Sequence, residues 1–248
     1  MRLVVLGSSS RGNCYFLENE KEVLIIECGV NVNLIKKALN FSFGKVAGCI
    51  LTHEHLDHAK SAEDVMKLGI DLYTSRGTMR ALSLNIEHHR LKTIQAGEVV
   101  SIGNFKVMPF KIQHDCIEPL GFIINHVETG NVLFITDSYY VENTFKNIHN
   151  IIIEANYSQE IIDRRVKQGA SPEFLRNRIF KSHMSVETCK KTLQANDLRK
   201  VNHIVLIHLS DSNSNAIQFQ KDIEAATGKN VIVADAGIVI ENFNKTAF

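Results

Sequence analysis

Apolar residues along this chain come in short runs instead of long stripes. "RLVVLG", "CYFLEN", "EVLIIEC" and "GCILT" follow one another near the start, each of strand length and bounded by turn-forming or charged residues. Further strands read as "DLYTS", a stretch from Thr93 to His114, "LGFIINHV", "NVLFITD", "NIIIEA", "HIVLIHL" and "VIVADAGIVIE". Helical periodicity falls between them, in "AKSAEDVMKLG", in "RGTMRALSLN" and over residues 31–40, 141–148, 158–168, 173–181, 186–197 and 215–226. Several strands are apolar throughout, as expected where helices cover a sheet. Early β meanders followed by βα alternation predict an α/β fold in which two sheets pack face to face with helices outside, an αββα sandwich.

The 248 residues carry a net charge of +1, so no overall field draws the protein to nucleic acid, although a local basic patch remains open. No linker, charge block or repeat divides the chain, which predicts one domain over residues 1–248. The apolar part of "MRLVVLGSSSRGNCYF" is too short for a signal peptide, and no apolar run approaches the roughly 18 residues of a membrane span. Five scattered cysteines without a CxxC pair read as reduced thiols, and the expected location is the cytoplasm.

One stretch breaks the alternation. "LTHEHLDHAK" places His53, His55, Asp57 and His58 within six positions, between the apolar "KVAGCIL" and a helical segment. A strand-to-helix turn would gather these polar tips at one sheet edge, and neutral imidazole with carboxylate is the donor set of zinc and similar ions. Other ligands should then close other strands. His114 follows "VMPFKIQ", Asp137 closes "NVLFITD" and His208 closes the apolar part of "HIVLIHL". A carboxylate at the end of a buried strand needs a cation or a donor.

The pattern His53-Glu54-His55-Leu56-Asp57-His58, followed in order by His114, Asp137 and His208, resembles the metallo-β-lactamase fold superfamily over nearly the whole chain. The resemblance implies two divalent ions, zinc first and manganese as the alternative. His53, His55 and His114 would hold one ion, Asp57, His58 and His208 the other, and Asp137 would bridge them. A water shared by the pair would be the nucleophile, with Asp57 orienting it and accepting its proton. Where that superfamily usually reads IDCG, this chain has "IIECG", so Glu27 stands in a position that supports the ligands from behind. A solvent-facing carboxylate is the other reading.

The second half narrows the reaction. Glu154 closes "NIIIE", and His183 precedes a helix whose expected N-cap is Ser185. Phosphodiesterases resembling the tRNA 3′-processing endonucleases carry such a pair, with Glu154 orienting His183 as general acid. "GSSSRGN", "HDCIEP", "ITDSYY", "SPEFLRNRIFKSHMS" and "IHLSDSN" are similar, in the same order, to the small bacterial WalJ/YycJ nucleases. A nuclease on DNA or RNA is the leading expectation. Arg164, Arg165, Lys167, Arg176, Arg178 and Lys181 could track a phosphate backbone or simply be a solvated helix face.

A cyclic nucleotide phosphodiesterase is the alternative, with Tyr139, Tyr140, Tyr157 and Phe180 as candidates to stack on the base. A glyoxalase-type thioester hydrolase would need the ions but not His183. A homodimer closing its own pockets is compatible with either phosphodiesterase. The chain has no room between Glu154 and His183 for a β-CASP insertion, and it has His55 where iron-based oxidoreductase relatives carry Glu.

Overall fold

A computed structural model describes residues 1–246. The first sheet takes β1 (Arg2–Ser9), β2 (Gly12–Glu18), β3 (Val23–Ile26), β4 (Val46–Ile50), β5 (Leu72–Thr74) and β6 (Leu91–Thr93). The second takes β7 (Val100–Ile102), β8 (Phe105–Lys111), β9 (Leu120–His126), β10 (Gly130–Ile135), β11 (Ile148–Glu154), β12 (His203–Ile207) and β13 (Asn230–Val233). The short β14 (Val239–Ile240) returns to the first sheet beside β1. The helices are α1 (Val32–Ala38), α2 (Leu56–Ala59), α3 (Ala62–Lys67), α4 (Arg76–Ala81), α5 (Gln159–Lys167), α6 (Glu173–Ser182), α7 (Val186–Gln194) and α8 (Ala216–Thr227).

Strand order is β14-β1-β2-β3-β4-β5-β6 in one sheet and β13-β12-β11-β10-β9-β8-β7 in the other. Each sheet is antiparallel on one side and parallel on the other, the change coming at β3 and at β10. The two halves of the chain thus repeat one plan. Between the sheets, inward residues such as Leu3, Val5, Leu24, Phe105, Phe122, Phe134 and Ile152 form a shared core. A second core lies between the first sheet and α1, α3 and α4, and a third between the second sheet and α7 and α8. The layers are those of an αββα sandwich. No described helix is long and apolar enough to cross a membrane.

Two sequence expectations fail. Residues 141–148 are not helical: they form a loop that runs into β11 at Ile148. Val141 and Phe145 instead anchor that loop. Val141 is buried, the Phe145 ring packs 4.7 Å from Phe110, and the Phe145 N–H donates to Asn196 Oδ1 at 2.6 Å. Asn147 is left-handed at φ 56°, which no helix tolerates in its course. "VIVADAGIVIE" is likewise not one strand, because Gly237 at φ 90° turns the chain between β13 and β14, which lie in different sheets.

Candidate metal centre

The carboxyl ends of the parallel strands meet at one edge of the sandwich, the usual place for a site in such sheets. After β4 the chain runs irregularly through His53 and enters α2, whose N-cap is His55. His53, His55 and Asp57 therefore do not share a strand face, as a continued strand would require. The turn gathers them instead. Three residues just beyond strand ends, Glu27 after β3, Asp137 after β10 and His208 after β12, are left-handed at φ 64°, 47° and 55°. Such conformations cost a non-glycine residue on the order of 1–3 kcal/mol each and are characteristic of functional sites.

The ligand atoms of His53, His55, His114 and Asp137 lie within 4.8 Å of one another, and so do those of Asp57, His58, Asp137 and His208. Asp137 belongs to both groups. Its Oδ2 lies 3.5 Å from His53 Nε2, 3.2 Å from His58 Nε2 and 3.6 Å from His114 Nε2, while Oδ1 is 3.5 Å from His208 Nδ1. Asp57 Oδ2 sits 3.1 Å from His208 Nε2 and 3.5 Å from His58 Nε2.

Two observations make this donor set fit divalent cations. His53 Nε2 is buried without a hydrogen-bond partner, while its Nδ1 contacts Thr52 Oγ1 at 2.8 Å. An orphaned buried nitrogen asks for an explanation, and three other ligand atoms face it. Second, His114 Nδ1 donates to the Ser182 carbonyl at 2.7 Å, which directs its Nε2 lone pair at His55 Nδ1, 3.0 Å away. Two imidazole nitrogens converge where a cation would sit.

The electrostatics agree. Burial lowers His53 well below its ordinary pKa and lowers His114, leaving neutral imidazoles. Burial also disfavours charge on His208, yet Asp137, Asp57 and Glu154 outweigh it and push that group up to about 10. Burial by itself would raise Asp137, but His208, His58 and His183 hold it well below the usual carboxylate range. A buried edge with this surplus of carboxylate recruits positive charge.

Glu27 is fully buried, so the solvent-facing reading is wrong. Its Oε1 accepts from the Thr52 N–H at 3.2 Å and its Oε2 lies 3.2 Å from His58 Nδ1. The next residues strap the histidine turn: the Cys28 N–H donates to the His58 carbonyl at 2.8 Å, and a Cβ at Gly29 would lie 1.7 Å from the Asp57 carbonyl oxygen. Gly29→Ala should therefore shift Asp57 and His58 and cost about 1–3 kcal/mol. Thermal unfolding and metal counting check this, and an unchanged melting point with full metal content would refute the strap.

Glu154 and His183 adjoin the two ligand groups, with their ligand atoms within 4.8 Å of those of Asp137 and His208. His183 Nδ1 donates to Glu154 Oε1 at 2.7 Å, and Glu154 Oε2 accepts the Ser138 and Met184 N–H groups at 3.1 and 3.0 Å. Glu154 is thus saturated by donors and serves to aim its partner. The segment bearing His183 is fixed beside the end of β11 by a Tyr157–Ser185 bridge and by the Asn156 N–H on the Met184 carbonyl. Ser185 caps α7, accepting from the Thr188 N–H, as expected. His183 lines the same cavity, of about 430 Å³, as His55, Asp57, His114, Asp137 and His208.

Sequence reasoning missed Asn13 and Asn156. Asn13 Nδ2 lies 3.2 Å from both His58 Nε2 and the Asp57 carbonyl, and Asn156 Nδ2 lies 3.1 Å from His208 Nδ1 and 2.8 Å from the His208 carbonyl. Asn13 stands in "GSSSRGN" and Asn156 two residues after Glu154, and those positions were the available signal. All five cysteines are free thiols.

The chain is 26% identical to Exodeoxyribonuclease YycJ of Bacillus anthracis over 223 residues, covering 85% of this chain and 83% of that protein. It is 26% identical to Exodeoxyribonuclease WalJ of Streptococcus pneumoniae, over 85% and 82%. The metallo-β-lactamase fold protein YhfI from Bacillus subtilis superposes with a TM-score of 0.71 at 16% identity, over 97% and 99% of the two chains. The human tRNase Z short form does so at 0.63 and 15%, over 97% and 99%. Residues 24–209 match the family described as the Beta-lactamase superfamily domain, and to that family the chain belongs.

Proposed function

We propose that this metal-dependent hydrolase is a phosphodiesterase acting on nucleic acid. The observation that carries the proposal is the Glu154–His183 pair, at 2.7 Å, opening into the same cavity as the two ligand groups. Phosphodiester cleavage expels a poor alkoxide leaving group, which a positioned proton donor relieves. The names of the YycJ and WalJ relatives support a nucleic-acid strand as substrate.

In this reading His53, His55 and His114 would hold one ion and Asp57, His58 and His208 a second, with Asp137 available to either. Ions held there, zinc by the histidine-rich donor set, supply charge neutralisation at the phosphate and acidification of water. Asp57, whose side chain is 23% exposed, orients the attacking water and takes its proton. His183 hands a proton to the departing oxygen. Glu154 keeps the His183 ring aimed, and Glu27 braces His58.

The cyclic nucleotide alternative finds less support. None of Tyr139, Tyr140, Tyr157 and Phe180 lines this cavity, and Tyr157 and Phe180 stack on each other with centroids 5.2 Å apart. A thioester hydrolase would leave the buried Glu154 and its three donors without a task. Product release from metal-loaded protein, with single-stranded DNA, RNA and cyclic mononucleotides side by side, tests the proposal. Shortened strands, lost in Asp57→Ala and His183→Ala, are expected. Cleavage of cyclic mononucleotides with strands untouched would replace the nuclease reading by the alternative.

A further inference from the structure

The six basic side chains of α5 and α6 do not act as one patch. Arg164 pairs with Glu160 at 3.7 Å, and Arg165 donates to the Ala170 carbonyl at 3.4 Å. Arg176 pairs with Asp163 and lies 4.3 Å over the Phe180 ring. Lys167 and Lys181 are exposed and line no part of the cavity. Among the described Lys and Arg side chains, Arg178 alone lines it, one helical turn before Ser182 and His183.

The Arg178 guanidinium is held by little. Its ion-pair partner is Asp115 Oδ2 at 3.8 Å, well beyond a charge-assisted hydrogen bond of about 2.7–2.9 Å, and the side chain is 69% exposed. A planar fork of donors left uncommitted beside a cation-binding cavity is suited to a phosphate. Its position says which phosphate. Asp115, which Arg178 reaches, itself lies 3.3 Å from His114 Nδ1, while Arg178 has no ion-pair contact with Asp57 or Asp137. The guanidinium therefore stands one side chain outward of the ligand layer. Exposed Leu56 and Leu175 line the same cavity and offer apolar surface to a sugar or base without discriminating among bases.

We infer that Arg178 binds the phosphate next to the scissile one, so that the cavity favours a single-stranded polynucleotide over a substrate with one phosphate. This inference rests on the nucleic-acid reading above.

The test measures binding of cleavage-resistant strands, phosphorothioate DNA and 2′-O-methyl RNA of equal length, to the metal-loaded protein across a salt series. Arg178→Ala is expected to weaken binding about tenfold. It should also flatten the slope of log affinity against log salt by about 0.7, the value of one phosphate on a single strand. Arg178→Lys should regain most of that slope, and Lys167→Ala should match the wild type. With cleavable strands, the Arg178→Ala loss should fall mainly on KM. A slope change with only one of the two strands supports the inference and identifies the sugar. Equal slopes for wild type and Arg178→Ala overturn it while leaving the nuclease reading intact. A wild-type protein that neither binds nor cleaves either strand overturns both.

Discussion

Replacing His183 by alanine should lower turnover of nucleic-acid strands by about 10²–10⁴-fold, the range of a lost general acid, with metal content unchanged. The ring lies 3.9 Å by its Nδ1 from Asp137 and stacks on His208 with centroids 5.3 Å apart, while its own hydrogen bond goes to Glu154. Loss of the imidazole therefore removes a proton donor and spares the ligands. A diester with an acidic leaving group, bis(p-nitrophenyl) phosphate, distinguishes the role, since p-nitrophenolate departs without a proton. The deficit should shrink to a few-fold there; an equal deficit on both substrates would argue against proton donation. Glu154→Gln refines the test. Burial lowers the His183 pKa, but the charges of Glu154 and Asp137 more than offset it, so the group is raised above its ordinary value. An acid works while protonated, so activity falls as pH rises through its pKa. Removing the Glu154 charge lowers that pKa, and the alkaline limb of kcat/KM should move toward lower pH.

Asp137→Ala should be at least as damaging, by a different route. This carboxylate is the one side chain common to the His53 and His58 groups, and its two oxygens face five imidazoles. Its loss should reduce bound metal from about two ions per chain to one or fewer and lower turnover by about 10³-fold or more. Elemental analysis of the purified variant reads the first effect, and the strand assay reads the second. Full occupancy with normal turnover would remove Asp137 from the centre. A contrast with Asp137→Gly separates chemistry from backbone. Glycine adopts φ 47° freely while alanine does not, so both variants should lose metal but the glycine variant should melt at a higher temperature.

Much of this was visible before any coordinates. Strands and helices were legible where apolar period and length agreed, as in "NIIIEA" or the helix after Ser185. The candidate site residues were legible because four stand together and three others each close an apolar run. What the sequence hid depended on tertiary partners. Val141 and Phe145 have helical spacing, but the Asn196 side chain claims the Phe145 N–H. Tyr157 and Phe180 looked available for stacking because nothing in the sequence says they stack on each other. The basic run looked uniform, and only the fold separates Arg178, which lines the cavity, from Arg164 and Arg176, which pair with carboxylates of α5. Glu27 stands where the resembled superfamily usually has aspartate, and only the fold reveals that it is left-handed and buried beside His58.

The duplicated plan of the two sheets bears on how the protein matures on the ribosome. The first half supplies Glu27 and the histidine turn, while the second supplies His114, Asp137, Glu154, His183 and His208. Contacts that close the centre span 59 residues between His55 and His114 and 151 between Asp57 and His208. A nascent chain cannot bring these residues together until β12 has left the exit tunnel and the sheets have docked. Assembly of the whole candidate centre therefore comes late, and it waits on the two halves finding each other.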